Sequence, residues 1–115
     1  MIKDITISKT VTTDTTQILY SYLFPSKSKG YLINFANYLS DNSAWGSIIW
    51  RIKKNGSPLY PYENVKDLIG LGYSPYAVEK ILFQGGDILE IEAYNGYTSD
   101  VDIGCRIVFE ESGEI

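Results

Sequence analysis

The most regular feature of the chain is an alternation of apolar and polar positions over its last third. Leu89, Ile91 and Ala93 fall on one side of an extended stretch, and Glu90 and Glu92 fall on the other. A period of two is typical of half-buried β-strands. An Asn-Gly pair at 95–96 interrupts the pattern, and these residue types tolerate a positive φ angle. Residues 87–111 are therefore predicted to form an antiparallel pair of strands with one wet face.

The same alternation recurs upstream, in the stretches 2–8, 17–24, 31–39, 44–54 and 77–83. Turn residues separate these stretches, notably at 25–30 and 55–58. Seven or eight short strands and no long helix predict an all-β fold, an antiparallel β-sandwich of the jelly-roll type.

The predicted core consists of the apolar positions that share this register. They are Ile33, Phe35, Ile48, Trp50, Ile52, Leu89, Ile91, Ile103, Cys105 and Ile107. A slip of one residue would turn each of these side chains toward water, so burial of this face specifies the register.

The 115 residues have the size of a single domain. We assign residues 17–111 to the sandwich and residues 112–115 to a short acidic tail. Residues 1–16 are interpreted as an edge strand or an extended arm, because the Thr-rich run at 10–16 has little to bury. On the arm interpretation, deleting residues 1–12 would leave a folded domain. Residues 61–76 are expected to form a packed loop, with Asn64 capping a single helical turn.

Residues that could carry catalysis are scarce. The chain has no His and one Cys, and Cys105 falls on the apolar side of its strand. Glu90 and Glu92 share a wet strand face, where such pairs commonly serve solubility. Asp and Asn residues in the loops lack the dense spacing of a calcium loop. We therefore expect no catalytic residues, no metal ion and no cofactor.

The charge balance and hydropathy exclude two classes of partner. The net charge of −4 argues against nucleic acid, because Lys and Arg dominate phosphate binding. No stretch approaches the roughly 18 apolar residues of a membrane span, and the first residues do not resemble a signal peptide. The protein is expected to be made in the cytoplasm.

The order of these features over residues 17–109 resembles that of a known family. A strand followed by Asn55-Gly56-Ser57-Pro58, a Gly86-Asp87 pair leading into another strand, and Asn95 before a closing strand are similar to small jelly-roll decoration and accessory proteins of tailed-phage capsids. The resemblance implies a non-enzymatic virion component that forms a homo-oligomer, such as a trimer, and binds a major capsid protein or another virion protein. Residues 1–16 and 61–76 fall outside the resemblance, so it does not indicate the binding surface.

Two functional alternatives remain open at this point. In the first, the Thr-rich run and the Tyr-rich loop form the assembly interface, because Tyr rings give a large contact area at low entropic cost. The residues predicted to form it are Thr10, Thr12, Thr13, Thr15, Tyr60, Tyr62, Tyr73 and Tyr76. In the second, the chain is a carbohydrate-binding β-sandwich that contacts glycans through Trp45, Tyr60 and Tyr62.

Overall fold

The computed structural model describes residues 1–60, 62–68, 70, 76–77 and 81–113, with 76–77 described by their backbone alone. The strands are β1 (Ile2–Val11), β2 (Thr15–Leu23), β3 (Ser28–Leu39), β4 (Ile48–Lys54), β5 (Ser57–Pro58), β6 (Tyr76–Ala77), β7 (Leu82–Gln84), β8 (Ile88–Asn95) and β9 (Val101–Gly113). A one-turn 3-10 helix spans Asn42–Ala44. The described ranges hold no helix that is long and apolar enough to cross a membrane.

The strands form two antiparallel sheets that pack face to face. Sheet one has the order β1-β9-β3-β6, with β7 also paired to β3, and sheet two has the order β2-β8-β4-β5. The first four strands alternate between the two sheets, and the last two long strands return to them, so that β8 lies between β2 and β4 and β9 lies between β1 and β3. This strand order is that of a jelly roll. The prediction of an all-β antiparallel sandwich is confirmed.

The core lies between the two sheets and contains the predicted positions with one exception. Nine of the ten predicted core residues are buried, and Trp50, Phe35, Ile48 and Ile52 are completely enclosed. The exception is Ile33, which is only half-buried.

A β-bulge in β3 explains the position of Ile33. Leu32 pairs with Phe109 and Asn34 pairs with Val108, so Ile33 is an extra residue without a partner in β9. Leu32 fills the core in its place, with 1% of its surface exposed. A bulge shifts the alternation by one position, and the side chain that the sequence pattern assigns to the core is displaced.

The first strand is an integral part of sheet one. β1 pairs with β9 from Ile2↔Glu110 to Val11↔Val101, without interruption. Val11 is completely buried, and Ile5 and Ile7 pack against the core. The interpretation of the N-terminal residues as an edge strand is therefore confirmed for β1, and the interpretation as an extended arm is wrong.

The segment after β5 extends along the free edge of β4 instead of forming a helical turn. Trp50 N–H donates to Val65 O (2.9 Å) and Val65 N–H donates to Trp50 O (3.0 Å). Ile52 N–H donates to Tyr62 O (3.1 Å). The expected helical turn capped by Asn64 is absent from residues 62–68 and 70, because these backbone groups are bonded to β4.

Candidate functional site

Part of the outer surface of sheet one is built mostly from small side chains. They project away from the core because their neighbours along each strand point into it. We call this surface the small-residue face: Asp4, Thr6, Ser8 and Thr10 of β1, Asp102, Gly104, Arg106 and Val108 of β9, and Asn34, Ala36 and Tyr38 of β3. It carries no lysine, and its central rows are Thr6–Arg106–Ala36 and Ser8–Gly104–Tyr38.

Tyr38 lies directly over the backbone of Gly104. A Cβ atom at position 104 would overlap the Tyr38 ring, so only glycine allows the ring to approach so closely. The ring nevertheless remains 42% exposed. The middle of the small-residue face is therefore the Tyr38 ring, which lies against β9 at Gly104.

Charge on this face is neutralised locally. Arg106 Nε donates to Asp4 Oδ1 (2.9 Å) and Arg106 Nη2 donates to Asp4 Oδ2 (2.6 Å), which is a two-point ion pair. These hydrogen bonds hold the pKa of Asp4 below its usual value and raise the pKa of Arg106. Asp102 accepts a hydrogen bond from the Thr10 hydroxyl. The ion pair cancels two of the three charges of the face, and Asp102 keeps its negative charge.

The outer surface of sheet two has a different character. Glu92 accepts from Arg51 Nη1 (3.2 Å) and from Lys53 Nζ (3.3 Å), so a row of alternating charges crosses β8 and β4. Glu90 lies on the same surface, as the alternation predicts. The described partners of Glu92 are the cations Arg51 and Lys53.

A second feature is a groove at one end of sheet one. Two adjoining clefts, of about 650 Å³ and 660 Å³, share Lys29, Gln84 and Ser112 as lining residues. We call their union the end groove. Its other lining residues are Lys27, Ser28, Gly30, Tyr31, Lys54, Leu82, Phe83, Gly85, Asp87, Glu110 and Gly113.

Asp87 is fixed at the side of the end groove by its own chain. Its Oδ1 accepts from Asn55 Nδ2 (2.9 Å), and its Oδ2 accepts from Gln84 N–H (2.9 Å) and lies 3.7 Å from Lys54 Nζ. The Asn55 hydrogen bond, followed by that from Gln84, lowers the pKa of Asp87. Asp87 thus serves to hold the 55–56 and 85–86 turns together.

The threonines predicted to form an interface are exposed, but they are tied to their own chain. Thr10 is the last residue but one of β1, Thr12 and Thr13 lie in the connection that follows, and Thr15 begins β2. Thr13 N–H donates to Asp100 Oδ1 (3.1 Å), and its hydroxyl donates to Tyr97 O.

The predicted tyrosines occupy different environments. Tyr60 is 84% exposed, whereas Tyr62 is 5% exposed and belongs to the core. Tyr76 lies in β6, where its backbone is described and its side chain is not. Tyr73 lies outside the described residues. Tyr60 follows β5, at the edge of sheet two opposite to β2, so the structure does not bring it together with the threonines.

The rings predicted to contact a glycan are not all at the surface. Trp45 is half-buried and stacks on Trp50, with ring centroids 5.4 Å apart. Since Tyr62 is in the core, Tyr60 is the one fully exposed ring of the three. Trp45, Tyr60 and Tyr62 do not form an exposed platform.

Cys105 is completely buried, and burial raises the pKa of its thiol to about 12. We expect the native protein to resist alkylation by iodoacetamide at about pH 8, because the thiolate is the reactive form and is scarce there. The unfolded protein should react at the rate of a free thiol, which mass spectrometry can measure with and without denaturant. Equal rates in the two states would show that Cys105 is accessible.

The small-residue face and the end groove were not predicted. A signal for the face was present, since outward positions of β3 and β9 carry Ala36, Tyr38, Gly104 and Val108 where a wet face usually carries charges. No comparable signal marks the groove, whose walls come from distant parts of the chain. Comparison with protein-family models, curated proteins and solved structures finds no match to this chain.

Proposed function

We propose that this protein is a non-enzymatic structural component of a phage or virus particle, which forms a homo-oligomer and binds the particle shell. The observation that supports the proposal best is the small-residue face. It combines the exposed ring of Tyr38 with the small residues Ser8, Gly104 and Ala36 and carries no Lys or Glu, and protein interfaces are enriched in Tyr and depleted in Lys and Glu.

The dimensions of the face set the contact area that it can supply. Its rows run from Asp4 to Thr10, over about 23 Å, and its three strands lie side by side over about 14 Å. The projected area is on the order of 300 Å², before side-chain relief is counted, and each partner in a standard interface buries roughly 800 Å². The face therefore supplies less than half of the area that one subunit needs, so the contact must extend beyond it.

A second copy of the chain is the occupant that the charges favour. The Asp4–Arg106 pair cancels its own charge, so Asp102 is the one charge of the face without a described ion pair, and the repulsion between two identical faces is small. A chain of net charge −4 would otherwise repel its copies, and sheet two presents a row of charges instead. We assign self-association to the small-residue face and shell binding to surfaces that remain exposed around it.

Association through the free strand edges is disfavoured. On the inward side of β1, Lys3 Nζ lies 5.3 Å from the centre of the Tyr22 ring, and Lys9 Nζ donates to Ile18 O (3.2 Å). Inward-pointing charges protect an edge strand from pairing with another chain. The neighbouring edge strand β2 carries a bulge between Ile18 and Tyr20, which has the same effect. Contact between faces is therefore favoured over the addition of a strand.

We expect Ser8→Glu to convert the oligomer to monomers, because it places an unpaired charge beside Gly104 in the middle of the face. Thr16→Glu is the matched control: it lies on the edge strand of sheet two, opposite Tyr94, and should leave the oligomer intact. Sedimentation velocity of the three proteins measures the change. Co-sedimentation with capsid shells measures attachment.

Two outcomes would contradict the proposal. If the unaltered protein is a monomer and does not bind shells, the assembly function is wrong. If Thr16→Glu disrupts the oligomer and Ser8→Glu does not, the interface lies on sheet two.

A further inference from the structure

We propose that the end groove binds an acidic saccharide, whose carboxylate is held by Lys27 and Lys29 and whose apolar ring face packs against Tyr31 and Leu82. This site goes beyond the assembly function and does not depend on it.

The groove has the size and the lining of a ligand site. Its two clefts, of about 650 Å³ and 660 Å³, fall within the range of small-molecule sites. Phe83 is buried beneath it, with 3% of its surface exposed, while Leu82 on the same strand is 60% exposed. An exposed leucine beside a half-buried tyrosine gives the groove an apolar wall.

The charged groups of the groove are paired, with two exceptions. Lys54 Nζ donates to Leu82 O (2.9 Å) and lies near Asp87, and Glu110 Oε1 lies 2.5 Å from the Met1 ammonium group. Lys27 and Lys29 are exposed, and their ammonium groups have no hydrogen bond or ion pair with any other described residue. The groove therefore presents two lysine side chains to a ligand in a chain whose net charge is −4.

Lys27 also has an unusual backbone conformation. Its φ angle is +66°, a left-handed value that favours glycine, and the two other described non-glycine residues with positive φ are Asp14 and Asn55. Asn and Asp adopt this conformation more readily than Lys does. The turn is held in place because Ser28 N–H and Ser28 Oγ both donate to Pro25 O, at 3.0 and 2.7 Å. Glycine would fit better here, and a role for the lysine side chain in binding accounts for its presence.

The combination of groups selects the ligand class. An inorganic anion would use the lysines and leave the apolar wall in water. A neutral saccharide would use the wall and the polar groups of Gln84 and Ser112, but not the lysines. An acidic saccharide has a carboxylate, hydroxyl groups and an apolar ring face, and it uses all three features.

The test is calorimetric titration of the full chain with three probes: trigalacturonate, its neutral counterpart galactotriose, and inorganic phosphate. We expect heat of binding with trigalacturonate alone, and an affinity that falls as salt is added, because ion pairs at an exposed site are screened. Tighter binding of phosphate, or equal binding of galactotriose, would overturn the proposal.

The decisive variant is Lys27→Gly, which should lower the affinity for trigalacturonate by about tenfold, the effect of losing one charged contact. It should also raise the melting temperature by about 4 °C, because it removes the left-handed strain. Asp14→Gly is the matched control, since it relieves a positive φ angle elsewhere and should leave binding unchanged. Unchanged binding by Lys27→Gly would overturn the role of Lys27.

The apolar wall is tested separately by Leu82→Ser, which should weaken binding several-fold. Leu23→Ser is its control, because Leu23 is exposed to the same degree, 61% against 60%, on the edge of sheet two. Equal loss of affinity in both variants would overturn the assignment of the ligand to the end groove.

Discussion

Trp50→Ala is expected to destabilise the protein by about 3–5 kcal/mol, which is a large part of the stability of an ordinary domain. Trp50 is completely buried at the centre of β4. Its Nε1 donates to Gly104 O across the core (3.2 Å), and its ring stacks on Trp45. Alanine would leave a cavity and a carbonyl without its partner. Urea unfolding followed by circular dichroism measures the loss without relying on tryptophan fluorescence.

Trp45→Ala is the matched control for this prediction. Trp45 belongs to the same ring stack but is half-buried, and its Nε1 bonds to Asn42 Oδ1 at 3.4 Å on the surface. We expect a loss of about 1–2 kcal/mol, because less surface leaves water when this ring packs. If Trp50→Ala unfolds at the same urea concentration as Trp45→Ala, or at a higher one, Trp50 is not the centre of the core.

Deletion of residues 1–12 is expected to abolish the native fold at room temperature. The deletion removes the ten residues of β1, the buried Val11, and the Ile5 and Ile7 side chains that cover one end of the core. It also exposes the edge of β9, which is central to sheet one. Each buried aliphatic side chain contributes roughly 1.5–3 kcal/mol, so the loss approaches the whole stability of a domain of this size. Circular dichroism and thermal unfolding of the truncated protein measure the result.

Point variants distinguish loss of packing from loss of chain length. Ile7→Ser removes an inward side chain of β1, and Thr6→Ser changes its outward neighbour. The first should lower the melting temperature by several degrees and the second should leave it nearly unchanged. A truncated protein that still unfolds cooperatively would mean that β1 is dispensable.

The sequence determined the strand positions and most of the core. Alternation is a local property, and a side chain such as Leu89 or Ile91 must face the core once its strand is half-buried. The turn residues at 55–56 and 86 are likewise local, since their positive φ angles favour Asn and Gly. These features could be predicted from the sequence without knowing which strands pair.

The tertiary structure decided the bulges, the placement of β1, and both candidate sites. A bulge at Ile33 depends on how β3 aligns with β9, whose residues Val108 and Phe109 are far along the chain. β1 has little to bury alone, and it becomes ordered because β9 offers it a partner. Gly104 is required only because Tyr38 lies over it. The end groove joins the turn before β3, the strand β7 and the end of β9. Contacts between distant segments depend on strand pairing and packing, and the pattern of any one segment does not contain them.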